Sequence, residues 1–134
     1  MQMIIDVDEI FTVGEDTFVD SVSSSSSFGV TFEDDLSTGY FYAVDTEPDL
    51  HILDALHVYD VSTVADKHKP CEIQIAWSTD GLVAFCMINN YCHAIFDFKK
   101  RAGYCRNAFP ESNGEWIRIK ERKLTDELVE QYFK

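Results

Sequence analysis

The chain has 134 residues, 46% of them hydrophobic and 13% aromatic, and a formal net charge of -13. That length and composition fit one globular domain over residues 1–134 with a core of its own, and they exclude a disordered chain. The sign of the charge disfavours direct binding to nucleic acid or to anionic membranes, and favours a basic protein partner.

The N-terminal "MQMIIDVDEI" lacks the basic start and long apolar run of a secretion signal, and nowhere do about 18 apolar residues run together. A cytoplasmic protein without a membrane span is expected. "FTVGEDTFVD", residues 11–20, has the form strand, Gly-Glu-Asp turn, strand. The serine run in "SVSSSSSFG" cannot bury apolar area, which predicts a flexible loop over 21–27.

"FGVTFEDDLSTGYFYAVD", residues 28–45, reads as a β-hairpin. Phe28, Val30 and Phe32 alternate with Gly29, Thr31 and Glu33, the period of two of a half-buried strand. "DDLSTG" supplies turn chemistry, and "GYFYAVD" is apolar on both parities. The acidic triplet Glu33, Asp34 and Asp35 falls at the hairpin tip, where a solvated turn is the simpler reading than a cation site. "PDLHILDALHVYDV" follows as a strand. Its Asp54 sits in an apolar run, where an unpaired carboxylate would be costly, so it either faces solvent, the preferred reading, or has a hydrogen-bonding partner.

Residues 72–98, "EIQIAWSTDGLVAFCMINNYCHAIFDF", predict a three-stranded meander with turns at Asp80-Gly81 and Asn89-Asn90. Two-residue turns would place Trp77 opposite Ala84 and Ile95, Ile75 opposite Cys86 and His93, and Ile73 opposite Ile88 and Tyr91. Both faces of the meander are apolar, so it is covered on both sides or offers one side to a partner. "KKRAG" is a basic turn, "YCRNAF" a short strand, and "WIRIKE" alternates again. The last element is a helix over about 125–133, with Thr125 as N-cap, Asp126 and Glu127 in its first turn, and Leu124 stapled onto Val129.

Cys71, Cys86, Cys92 and Cys105 form no C-x-x-C pair, and read as reduced core residues rather than zinc ligands. His51 and His57 lie six residues apart and cannot share a metal on one extended strand. His93 beside Cys86 has the composition of a thiolate-generating dyad, although Phe85 and Met87 flank the cysteine. No G-x-S-x-G, P-loop or dinucleotide fingerprint is present. No catalytic residue, metal or cofactor is therefore assigned.

Charge distribution carries more information than net charge. Residues 1–66 hold fifteen of the 24 acids and no Lys or Arg, while residues 67–134 hold all eleven bases with the other nine acids. The acidic half predicts a surface for a basic protein, with Glu33, Asp34, Asp35, Asp45, Glu47 and Asp49 as its charges. Tyr40 and Tyr42 are the candidate aromatic anchors.

The stretches "FGVTFEDDLSTGYFYAVD", "ILDALHVYDV", "KPCEIQIAWSTDGLVAFCMINNYCHAIFDF" and "RAGYCRNAFP" together resemble the bacterial family known as domain of unknown function 2251. That resemblance covers roughly residues 10 to 110 and implies a bacterial cytosolic protein, with no activity, cofactor or catalytic residue attached.

The expected fold is α+β: a predominantly antiparallel β-sheet, meander, sandwich-like or half-barrel, with a C-terminal α-helix packed on one face. The expected function is a non-enzymatic binding module of the immunity or inhibitor kind, set against a basic protein such as a nuclease. The alternatives are a small hydrolase or ligand-binding enzyme using His93 with Cys86 or acids near Asp54, and a structural homodimer.

Overall fold

The computed structural model describes residues 2–112 and 114–134. Among these, alternating apolar runs form nine strands: β1 (Met3–Phe11), β2 (Thr17–Val22), β3 (Phe28–Asp34), β4 (Thr38–Asp45), β5 (His51–Asp60), β6 (Cys71–Ser78), β7 (Val83–Ile88), β8 (Tyr91–Asp97) and β9 (Ala102–Cys105). One helix, α1 (Asp126–Phe133), ends the chain. The strands make two antiparallel sheets, ordered β1-β6-β7-β8-β9 and β2-β3-β4-β5. The fold is therefore α+β, predominantly antiparallel, and the two sheets are not a closed barrel.

Period-two patterning sorts the small sheet into an inner and an outer layer. Val19, Phe32, Phe41 and Leu56 pair across its four strands and turn inward. They meet Ile73, Ile75, Trp77, Ala84, Cys86 and Phe96 of the large sheet in the main core. Phe41 stacks on Phe96 with ring centroids 5.3 Å apart. Full burial of each such side chain stabilises the fold by about 1.5–3 kcal/mol.

The meander of the large sheet is covered on both faces, the first of the two arrangements its apolar faces allow. Its outer face, with Phe85, Ile95 and Tyr104, packs against Leu124, Leu128, Val129, Tyr132 and Phe133 of the C-terminal segment. Thr125 caps α1 by accepting the Leu128 N–H at 3.1 Å, and Leu124 is buried beneath it. Cys86 lies in the main core and Cys92 in this second cluster, on opposite faces of the sheet.

The β6–β7 register is the expected one, with Trp77 opposite Ala84, Ile75 opposite Cys86 and Ile73 opposite Ile88. The β7–β8 register is not. Ile88 pairs with Tyr91 and Met87 with Cys92, but a bulge then puts Ala94, not His93, opposite Cys86, and Phe96, not Ile95, opposite Ala84. One extra residue, His93, reverses the faces of all that follow, which sends Phe96 into the main core and Ile95 outward. "WIRIKE" forms no strand; it runs as an extended strap along β9, ending in a parallel bridge between Lys123 and Cys105.

Every serine from Ser23 to Ser27 but Ser24 makes a defined hydrogen bond. Ser23 Oγ donates to the Gly81 carbonyl at 2.8 Å, and Ser25 Oγ to the Asp80 carbonyl at 2.7 Å. The Phe28 N–H donates to Ser26 Oγ, and the Thr46 N–H to the Ser27 carbonyl. These bonds join the 21–27 segment to the first turn of the meander and to the end of β4.

Candidate functional site

The acidic triplet splits into three environments. Asp34, at the end of β3, points inward and is fully buried. Its carboxylate accepts from the Gly14 N–H (2.7 Å), the Leu36 N–H (2.8 Å) and the Tyr59 hydroxyl (2.6 Å). Gly39 makes this possible, because a Cβ there would sit 2.6 Å from the Tyr59 ring. Asp34 is thus removed from any partner surface: its lone pairs are already used to tie three segments together.

Asp35 is exposed and accepts from the Ser37 and Thr38 N–H groups at 3.0 and 2.8 Å, which closes the hairpin. Those backbone donors hold its carboxyl below the usual range. Glu33, half-buried, lies on the outer layer opposite Phe18 and Tyr40. Only Glu33 and Asp35 of the triplet remain available to solvent.

Tyr40 and Tyr42 share the outer face of β4, stacked with ring centroids 5.9 Å apart. Burial raises both phenol pKa values, with the Asp60 and Asp35 carboxylates adding to Tyr40 and those of Glu33 and Asp35 to Tyr42. Beside Tyr42 a groove of about 410 Å³ runs over the outer face, lined by Phe18, Glu33, Val44, Leu50 and Ile52. Phe18 is 66% exposed, Leu50 71% and Ile52 64%. Asp45 closes the far end of β4, accepting the Glu47 N–H at 3.0 Å, and Glu47 and Asp49 are exposed in the loop that follows. The outer layer of the small sheet therefore has an apolar centre and a carboxylate rim.

The cysteine–histidine dyad is not assembled. Cys86 is fully buried, burial pushes its thiol pKa up, and the bulge removes His93 from the position opposite it. His93 instead stacks edge-on against Tyr91, 4.8 Å between centroids, and burial, followed by the nearby Arg106, pushes its pKa down to about 4.

Asp54 does not face solvent. It is buried against Arg122, which is itself 2% exposed and also donates to the Gly103 and Pro110 carbonyls at 3.3 and 2.7 Å. Burial pushes the Asp54 carboxyl up and the guanidinium pulls it back. Gly103 leaves the room: a Cβ there would lie 2.8 Å from Asp54 Oδ2. The pair ties β5 of one sheet to the strap on the other.

His57 is fixed rather than free. The Asn107 amide donates to Nδ1, so Nε2 carries the proton toward Asp60 Oδ1 at 3.0 Å, and Tyr40 and Phe109 pack edge-on against the ring. Asn107 lies fifty positions from His57, and no local spacing announces the contact.

Two face-to-face antiparallel sheets, a helix over one and an uncovered acid-rimmed layer on the other define a small α+β sandwich. The chain belongs to the family described as an uncharacterized protein conserved in bacteria (DUF2251), whose model matches residues 11–133. It is similar to an uncharacterized protein of Haemophilus influenzae, 40% identical over 108 residues, covering 78% of this chain and 65% of that protein. The chain thus spans less than two thirds of that relative's length. No solved structure matches it. Among the described residues no helix is long and apolar enough to cross a membrane.

Proposed function

We propose that the chain is a non-enzymatic binding module whose acidic N-terminal half holds a basic protein, in the manner of an immunity protein or inhibitor. The observation that carries this reading is the uncovered outer layer of the small sheet. Phe18, Leu50 and Ile52 are more than half exposed there, around Tyr42, within a half-chain that has no Lys or Arg. An apolar patch with a charged rim is the anatomy of a protein interface, the centre supplying affinity and the rim steering and selecting the partner. Glu33, Asp35, Asp45, Glu47 and Asp49 form that rim, with Tyr40 and Tyr42 as anchors. Against a basic nuclease the carboxylates would stand where phosphates bind.

A second copy of the chain is the competing occupant of the same face. Self-association there sets Glu33 and Asp35 of one copy near acids of the other, which costs energy where a basic protein gains it. Affinity capture from the native host distinguishes the two. The wild-type chain is expected to retain a basic protein that the Glu33→Lys/Asp35→Lys variant loses; unchanged capture by that variant, or self-association alone, overturns the proposal.

A further inference from the structure

The two sides of the sandwich are finished differently. On the β5/β9 side both sheet edges are covered by the chain that follows β9. The His57 N–H donates to the Phe109 carbonyl (2.9 Å), the Cys105 N–H to the Arg122 carbonyl (2.9 Å), and the Arg118 N–H to the Arg101 carbonyl (2.8 Å). The covering strap is extended and basic, carrying Arg118, Lys120, Arg122 and Lys123. It is the molecule's own example of a cationic segment laid along a sheet edge.

On the β1/β2 side no segment covers the two edges among the described residues, and a hydrogen bond from Ser21 Oγ to the Asp6 carboxylate links the two strands. β1 and β2 are the terminal strands of their sheets, and no backbone hydrogen bond joins their outer edges to another segment. Two depressions of about 490 and 450 Å³ lie there, both lined in part by Phe18 and Val19. Their walls are acidic: Asp6, Asp8, Glu9, Glu15, Asp16 and Asp20, with no Lys or Arg. Ile10 at the rim is 68% exposed. Asp8 accepts from the Gln74 amide at 3.1 Å, and its nearby negative charge raises the Glu72 carboxyl.

Carboxylates on an edge strand also guard against indiscriminate pairing. A guard needs no apolar side chains beside it and no room for a partner's, and this edge has both, with Val7, Ile10, Phe18 and Val19 lining the two depressions. We propose that the β1/β2 edge accepts an extended cationic segment of a partner protein as an added strand, its backbone pairing with the bare edge of β2 and its Lys or Arg side chains set against Asp8, Glu9, Asp16 and Asp20. The site is separate from the Tyr42 face and meets it only at Phe18.

The test is a titration of the full chain with the blocked hexapeptide Val-Lys-Val-Lys-Val-Lys, followed by backbone amide shifts. Saturable binding is expected, with the largest shifts in residues 6–9 and 16–20, and a loss of about tenfold in affinity for the Asp8→Lys/Asp20→Lys variant. A peptide with proline in place of each valine keeps the charge but loses the N–H donors of one strand edge and no longer pairs as a regular strand, and is expected not to bind. Equal binding of the proline peptide, shifts confined to residues 31–33 and 50–52, or no saturable binding overturns the proposal. In each of those cases capture of a basic protein that is lost with Glu33→Lys/Asp35→Lys leaves the face reading intact.

Discussion

Asp34 and Asp35 are adjacent in the chain and opposite in role. Asp34→Ala strands three donors, the Gly14 and Leu36 N–H groups and the Tyr59 hydroxyl, and is expected to cost about 2–3 kcal/mol in denaturant unfolding. Asp35→Ala, at an exposed turn, is expected to cost less than about 1 kcal/mol. Equal costs would contradict the assignment. His93 gives the residue-level pH dependence. Its folded pKa is depressed to about 4 from an ordinary 6.5, so between those values the unfolded chain binds more protons. Its contribution to stability is present above pH 6.5 and lost as pH falls toward 4. The melting temperature of the wild type is expected to fall over that window, and His93→Asn to flatten the slope; an identical slope in the variant would contradict the shift.

Elements were more legible than their joins. The hairpin of residues 28–45, the β5 strand, the β6–β7 register and the capped helix all follow from period, turn residues and capping chemistry read locally. The bulge at His93 has no such signature, because a meander apolar on both faces tolerates either register, and one residue there decides which face Phe96 takes. The Asp54–Arg122 pair spans 68 positions and joins two sheets, so neither residue advertises the other. Likewise Asp34 looked solvated because its donors, Gly14 and Tyr59, lie 20 and 25 positions away. The buried pair makes a prediction at this scale. Arg122→Met leaves Asp54 buried without its cation and is expected to cost about 3–5 kcal/mol, whereas adding Asp54→Leu restores most of it. Denaturant midpoints for the two variants and the wild type check this; a double variant no more stable than the single one would contradict it.

For the whole molecule the governing feature is asymmetry. The basic second half supplies four of the five strands of the covered sheet, the strap and the helix; the acidic first half supplies β1, an uncovered layer and a bare edge. Net charge of one sign on the open surfaces speeds encounter with a basic protein and makes it salt-dependent. The most direct measurement is the calorimetric affinity of the captured basic partner for the wild type and for Tyr42→Ala/Ile52→Ser, at two ionic strengths. A loss of at least about tenfold in the variant, roughly 1.4 kcal/mol, together with weaker binding of the wild type at higher salt, is the predicted result. An unchanged affinity in the variant, or binding indifferent to salt, would contradict the assignment of this face.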